Sequence, residues 1–487
     1  VINSAFGIVL VPVYTRYLRA GEFGVLSLLT VTLGLVTIVL KFGLNHSFFR
    51  HYYETQDEPA RRRMVGSTLI FLLVSATGLI SLLYWFAPQI SGLVFAGNQT
   101  KAGLLRLVFY ISFFEIITLV PDSILRAKFK SAQYSALNVT AFVVQLALVC
   151  YLVIQVDSSV ESVLRGRLMG VMFEAVLFFT VVRRELSLSF SPRELGAMLS
   201  FGTPLIFSQV AFQLFMMVDR FFLEHYASQR ELGAYAMACT LVSVVNILVT
   251  VPFGQVWTVM RFSVMNDEGA EEYYSRVLTY IVFVSMFFAL CVAAVAGDTL
   301  LLHAMRGYWV GPAMIPVLAL AAVLDSASRV LNVGITVRKK TIYAPLVIVA
   351  ALGVNIGLNF LMIPRYGAMG AAFSTVLSYV VFCALRFWAS NLFVKVKYEW
   401  RRVFALIVIG GGLLGCFYIG DLLRGPSASR GALYFAAGLK ALLALSFPLI
   451  LFAVRFFDER ERQRISEVWN KGLSMIRRQP LGEAGLH

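Results

Sequence analysis

The feature that most constrains this chain is a series of apolar runs of about twenty residues that recurs along its whole length. They lie near residues 1–18, 24–45, 64–86, 103–121, 134–156, 163–182, 197–223, 233–257, 277–297, 312–335, 343–362, 368–390, 403–423 and 432–454. At about 1.5 Å per residue, each is long enough as a helix to cross a hydrocarbon core of about 30 Å. The expected fold is therefore an all-α polytopic membrane protein of fourteen spans, with connectors too short for a soluble domain. Composition agrees, because only 14% of the 487 residues are charged, against about a quarter in soluble domains. The chain opens on Val1 rather than methionine. We expect the sequence to start inside its first span, with a leader upstream and no cleavable signal peptide.

The net charge of +15 raises the question of nucleic acid, and its placement answers it. Connectors after even-numbered spans hold nineteen Lys and Arg residues, and those after odd-numbered spans hold eight. By the positive-inside rule the even connectors, and with them both chain ends, face the cytoplasm. Orientation and contact with anionic headgroups account for the basic balance, and no nucleic-acid partner is expected. The five cysteines are scattered through spans and the five histidines form no ligand motif, so no metal site is expected.

Two stretches nearly repeat. Glu22-Phe23-Gly24 is echoed by Glu231-Leu232-Gly233, and Lys130 with Tyr134 by Lys339 with Tyr343, both 209 residues on. Phe42-Gly43 with Arg50 is echoed by Phe253-Gly254 with Arg261, 211 residues on. The echoes divide the chain into a six-helix half at 1–182, a cytoplasmic linker at 183–196 and a second six-helix half at 197–390. Two added helices at 403–454 and an amphipathic tail at 455–487 follow. Six spans per half make the repeat parallel, related by an axis along the membrane normal. In the tail, Ile465, Val468, Trp469, Leu473 and Ile476 share one helical face suited to the inner leaflet. Pro12, Pro204, Pro252, Pro316 and Pro345 fall within spans and are expected to bend them.

Ionisable residues within spans carry the functional signal, since a charge at mid-bilayer costs about 2.5–3.5 kcal/mol on insertion scales. They are Lys41, Glu115, Glu174, Asp219, Arg220, Asp325, Arg329, Arg386 and Lys440. Lys41 and Arg386 lie near cytoplasmic ends, placed either to reach the interface with their long side chains or to serve function within the bundle. Arg16 and Arg220 lie near the outer ends of spans 1 and 7, placed either to reach the interface or to form an outer gate. Asp325 and Arg329, four apart, can pair on one helix face. Glu115 and Glu174 have no partner on their own helices. They pair across helices, face water or stay protonated, and a carboxyl that can change protonation is what proton coupling requires.

Pro12-Val13-Tyr14-Thr15-Arg16-Tyr17-Leu18 followed by Glu22-Phe23-Gly24 resembles the first-helix signature of Wzx-type polysaccharide-biosynthesis flippases. These belong to the multidrug/oligosaccharidyl-lipid/polysaccharide exporter superfamily. Phe201-Gly202-Thr203-Pro204 leading to Asp219-Arg220-Phe221-Phe222, then Leu232-Gly233-Ala234-Tyr235, is similar to that family's seventh helix and its exit. Tyr366-Gly367-Ala368-Met369-Gly370 resembles the start of its twelfth. The resemblance implies two bundles around a central cavity open to one side at a time, in the bacterial inner membrane. It implies as substrate an undecaprenyl-diphosphate-linked oligosaccharide, and as partners membrane lipids and the polysaccharide polymerase and chain-length machinery. Guanidinium and ammonium groups suit a diphosphate. The expected substrate-binding residues are Arg16, Lys41, Arg50, Arg220, Arg261 and Arg329. Those for coupling to an H⁺ or Na⁺ gradient are Glu115, Glu174, Asp219 and Asp325, with no other cofactor.

The rival readings are a peptidoglycan-precursor flippase and a drug or cation antiporter of the same superfamily. The antiporter class usually stops at twelve helices and favours a more acidic cavity. A membrane polymerase, ligase or glycosyltransferase would show an enlarged outer loop with clustered His, Arg or acidic residues, and the connectors near 87–102 and 298–311 are short. The protein is not expected to be an enzyme.

Overall fold

The computed structural model describes residues 7–463, apart from 56, 188, 304–310, 341, 425–429 and 460. Most of the tail read as amphipathic, from Ile465 onward, lies outside the described residues. There is no strand among those described.

The first half comprises α1 (Val11–Tyr17), α2 (Ala20–Leu40), α3 (Leu44–Glu54), α4 (Glu58–Trp85), α5 (Ala87–Val94), α6 (Ala102–Ile117), α7 (Leu119–Ala127), α8 (Ser131–Tyr151) and α9 (Val160–Val182). The second comprises α10 (Pro192–Met217), α11 (Asp219–Tyr226), α12 (Gln229–Val245), α13 (Val251–Ser263), α14 (Ala270–His303), α15 (Gly311–Leu331), α16 (Val333–Val337) and α17 (Tyr343–Asn391). Two further helices follow, α18 (Trp400–Arg424) and α19 (Arg430–Ala453).

Eleven helical segments are individually long and apolar enough to cross a membrane. Two further helices lie outside that set for reasons the structure shows. α17 is two helices merged across Gly367, whose φ of 56° and ψ of −136° break the helix. α9 carries Glu161, Arg165, Arg167 and Glu174, which mask its apolar character. The first apolar run, near 1–18, is described only from residue 7 and contains α1. The protein is thus a multi-pass membrane protein.

Prolines divide into two kinds. Pro204 and Pro316 lie inside α10 and α15, as expected. Pro252 also lies within a span, in the continuous helical stretch Gln229–Ser263 just after its π-helical turn Asn246–Thr250. Pro12 instead opens a helix, where a missing N–H costs nothing. Pro345 likewise falls in the first turn of α17. The linker read at 183–196 is shorter, since α10 begins at Pro192, capped by Ser191. It is packed down: the Ser191 N–H donates to Ser67 Oγ at 2.7 Å.

Helix breaks recur between halves. Phe129 ends α7 with φ 53° and Lys339 ends α16 with φ 56°, 210 residues on. In both turns the next N–H reaches back five residues, Lys130 to the Leu125 carbonyl at 3.3 Å and Lys340 to the Ile335 carbonyl at 2.9 Å. This left-handed cap satisfies carbonyls that the helix end leaves open.

The halves touch through α2 and α12, and glycine permits the approach. A Cβ on Gly24 would stand 2.9 Å from the Gln229 carbonyl oxygen, and one on Gly233 only 1.6 Å from that of Ala20. A second close contact lies near the basic face, where a Cβ on Gly43 would meet the Gly202 carbonyl oxygen at 2.1 Å.

Helices α18 and α19 pack on the second half through α14 and α15. Lys440 of α19 fastens them, with its Nζ 3.1 Å from Asp298 of α14 and 2.5 Å from Asp421 of α18. All three side chains are almost fully buried. Removing one partner of such a buried cluster leaves uncompensated charge, at a cost of about 3–5 kcal/mol. Lys440→Ala should therefore lower the thermal unfolding temperature in detergent markedly, and adding Asp421→Asn should recover part of the loss. An unchanged unfolding temperature would show that the cluster does not hold the added pair.

Candidate functional site

A cavity of about 1180 Å³ lies between the halves. One wall is α2, from Phe23 and Leu26 near its start to Lys41 at its C-terminal cap. Helices α6 to α9 contribute Glu115, Asp122, Arg126, Tyr134, Arg167 and Glu174, and the second half contributes Arg220, Cys239, Thr240 and Ser243. Asn45, His46, Phe49, Asn138 and Gln145 add amides and rings to the lining.

Four cations (Lys41, Arg126, Arg167 and Arg220) and three carboxylates (Glu115, Asp122 and Glu174) face this space. Two couples neutralise each other. Arg167 Nη2 of α9 stands 3.0 Å from Glu115 Oε1 of α6, and Arg126 pairs with Asp122 one turn earlier on α7. Thr37 Oγ1 donates a further, longer bond of 3.4 Å to Glu115. Among the described residues, Lys41, Arg220 and Glu174 form no ion pair, and each is half-buried. An unpaired charge held inside a bilayer must see water or an ionic ligand. The set therefore leaves two cations and one carboxylate available to whatever enters.

Phe49 and Tyr134 flank Arg126, whose guanidinium carbon lies 5.0 and 5.9 Å from their ring centres. The site thus offers ring faces and amide donors beside fixed charge.

The remaining residues read from the sequence lie outside the lining. Asp219, the first residue of α11, is buried. It accepts from Tyr235 Oη of α12 and, at 2.8 Å, from the Arg220 N–H. Tyr235 Oη is 3.2 Å from Thr375 Oγ1 of α17. Next to Thr375, Ser374 donates to Asn359, and Asn359 and Asn355 continue to Ser378 through bonds of 3.0 Å each. A polar chain thus threads the second half.

Asp325 and Arg329 pair at 3.3 Å on α15. Arg386, read as reaching for the interface or serving within the bundle, turns inward. Its Nη1 donates to both the carbonyl and Oγ of Ser328 at 2.9 Å, and its guanidinium lies 4.0 Å from the Phe382 ring centre. Arg16 is exposed at the end of α1, 6.0 Å from the Tyr17 ring centre. Arg50 pairs with Glu54 at 2.9 Å and lies over Phe201 of the second half at 4.5 Å. Arg261 ends α13 against Phe262 at 4.9 Å.

The structure therefore gathers Lys41, Glu115, Glu174 and Arg220 in one space and distributes Arg16, Arg50, Arg261, Asp219, Asp325 and Arg329 elsewhere. Asp122, Arg126 and Arg167 are the charged lining residues that sequence reasoning misses. The one signal for Arg167 was Glu115, a carboxyl without a partner on its own helix.

A family profile described as "Polysaccharide biosynthesis protein" matches residues 13–309, more than half of the chain. No curated protein matches the sequence. Among solved structures, the chain is similar to "Lipid II flippase MurJ, inward closed conformation", with a TM-score of 0.73 at 13% identity, covering 93% of this chain and 98% of that one. It is also similar to an inward-facing multidrug resistance MATE family transporter of the MOP superfamily, with a TM-score of 0.65 at 14% identity, covering 83% and 94%. At these identities the likeness establishes the shared fold.

A double-mutant cycle tests the Glu115–Arg167 pair. Arg167→Ala and Glu115→Ala should each destabilise the protein, and the two losses should fall short of additivity by about 1 kcal/mol. Thermal unfolding in detergent reads this, and additive losses would show that the pair contributes nothing.

Proposed function

Because the chain belongs to the polysaccharide biosynthesis protein family, we propose that it flips an undecaprenyl-diphosphate-linked oligosaccharide across the bacterial inner membrane by ion-coupled alternating access. The observation that carries this reading is the cavity between the halves, in which Lys41 and Arg220 remain unpaired while Arg126 and Arg167 are neutralised. A diphosphate supplies the missing negative charge. Amide and ring groups from Asn45, Asn138, Gln145, Phe49 and Tyr134 suit hydroxyls and sugar faces. A cavity of about 1180 Å³ lies just above the roughly 300–1,000 Å³ of pockets for drug-sized ligands and has room for a glycan headgroup. The polyprenyl tail stays in lipid while the headgroup crosses.

Two places suit coupling. Glu174 is an unpaired carboxylate beside Lys41 in the cavity, where binding a cation raises the net positive charge available to the diphosphate. Asp219, with the hydroxyls of Tyr235 and Thr375, gathers oxygen donors of the kind that H⁺ or Na⁺ takes. The fold shared with a lipid II flippase supports a second substrate of the same class, a peptidoglycan precursor, which presents the same diphosphate on a different sugar.

Proteoliposomes separate these readings. With lipid-linked oligosaccharide on one leaflet, the protein should move it to the other, and parallel vesicles with lipid II should show little exchange. Lys41→Ala and Arg220→Ala should each slow transfer at least about tenfold while the protein still elutes as a folded species, as loss of transition-state stabilisation of about 1.4 kcal/mol per tenfold. Wild-type rates in both variants would remove the basic site from the mechanism.

Imposing an H⁺ or a Na⁺ gradient in turn identifies the ion. Glu174→Gln should abolish acceleration by the gradient if the cavity carboxylate couples, and Asp219→Asn should do so if the buried cluster couples. Full gradient dependence in both would exclude both.

A further inference from the structure

We propose that the crossing of α2 and α12 at Gly24 and Gly233 is the gate that closes the cavity at the face opposite the basic connectors, with Lys101 and Glu224 as its latch. The contact is reciprocal. Gly24 lies against the backbone of Gln229, and Gly233 lies against that of Ala20. Under the 209-residue repeat, Gln229 corresponds to Ala20 and Gly233 to Gly24. Each glycine thus meets the other half's equivalent of the residue that its own counterpart meets. A contact of this kind sits on the two-fold axis relating the parts, as in an isologous interface.

A path between two parallel halves runs along their axis, so a seam on the axis blocks it. The placement fits. Phe23 and Leu26, on either side of Gly24, line one end of the cavity, and α12 comes away from α2 so that Cys239, Thr240 and Ser243 line it too. The seam sets glycine against backbone, with buried Leu232 packed beside Gly24, so the closed crossing is tightly fitted.

One ion pair spans the halves at the same face. Lys101 caps α6 of the first half, and its Nζ lies 3.8 Å from Glu224 Oε1 of α11. Both side chains are largely buried, at 16% and 4% exposure. Yet Lys101 Nζ and Glu224 Oε2 have no hydrogen-bond partner. A desolvated pair bonded this loosely recovers hydration on separating, which is what a latch that must open requires.

This inference rests on the alternating-access part of the proposed function, but its test needs no substrate and stands if the glycan assignment fails. Spin labels are placed on exposed Gln99 and Arg365, in connectors of the two halves at this face, in a chain whose five cysteines are replaced. Distances are then measured by electron double resonance in proteoliposomes. Gly233→Ala introduces a Cβ that the closed seam cannot hold, and should raise the ratio of long to short distances at least about tenfold. Lys101→Glu should act in the same direction, and Lys101→Glu with Glu224→Lys should restore the short distance. An unchanged distribution in a folded Gly233→Ala protein overturns the gate. Should that variant fail to fold, the charge variants decide: a short distance retained in Lys101→Glu, or no recovery in the swapped pair, overturns the latch and the gate with it.

Discussion

Everything polar in this protein is arranged around the cost of holding charge in hydrocarbon. That cost drives Arg167 to Glu115 across two helices, Lys440 to Asp298 and Asp421 across three, and Arg386 into the carbonyl of Ser328. Each pairing fixes the rotation of the helices that carry it, because a side chain reaches its partner from one face only. The charges are therefore positional devices as much as functional ones. The same rule makes Lys41, Arg220 and Glu174 conspicuous, as the charges in the cavity that no pairing absorbs.

The two halves use their charges differently. The first keeps its ionisable groups on a cavity wall, where α6, α7 and α9 converge. The second hides them: Asp219 lies behind Tyr235, and the amides of Asn355 and Asn359 run inward from there. A binding surface and a buried polar chain thus lie on opposite sides of one structure, joined through α11, where Arg220 faces the cavity and the adjacent Asp219 faces the interior.

Much of the fold was legible in the sequence, because length and hydropathy alone mark a crossing helix. Among the described residues the apolar runs reappear as helices, and the Asp325–Arg329 couple forms because a spacing of four places both on one face. What sequence could not reveal depends on the relative rotation and depth of neighbouring helices. Glu115 announced that it needed a partner but not which one. Lys440 gave no sign of its two aspartates, which lie 142 and 19 residues away in the chain. Arg386 shows the same limit, since proximity to a span's end left both placements open and a serine on the adjacent helix drew it in.

The reciprocal seam bears on how two halves that otherwise share so little can still spell Glu-x-Gly alike. At most positions a duplicated helix is free to drift, since a change in one copy need suit only its own surroundings. Gly24 and Gly233 have no such independence, because each lies against the backbone of the other half. A side chain gained at either glycine wedges both helices, so the crossing tolerates change in neither copy. The short echo in the sequence is thus the trace of a mechanical contact, a place where divergence is forbidden by steric contact rather than by chemistry.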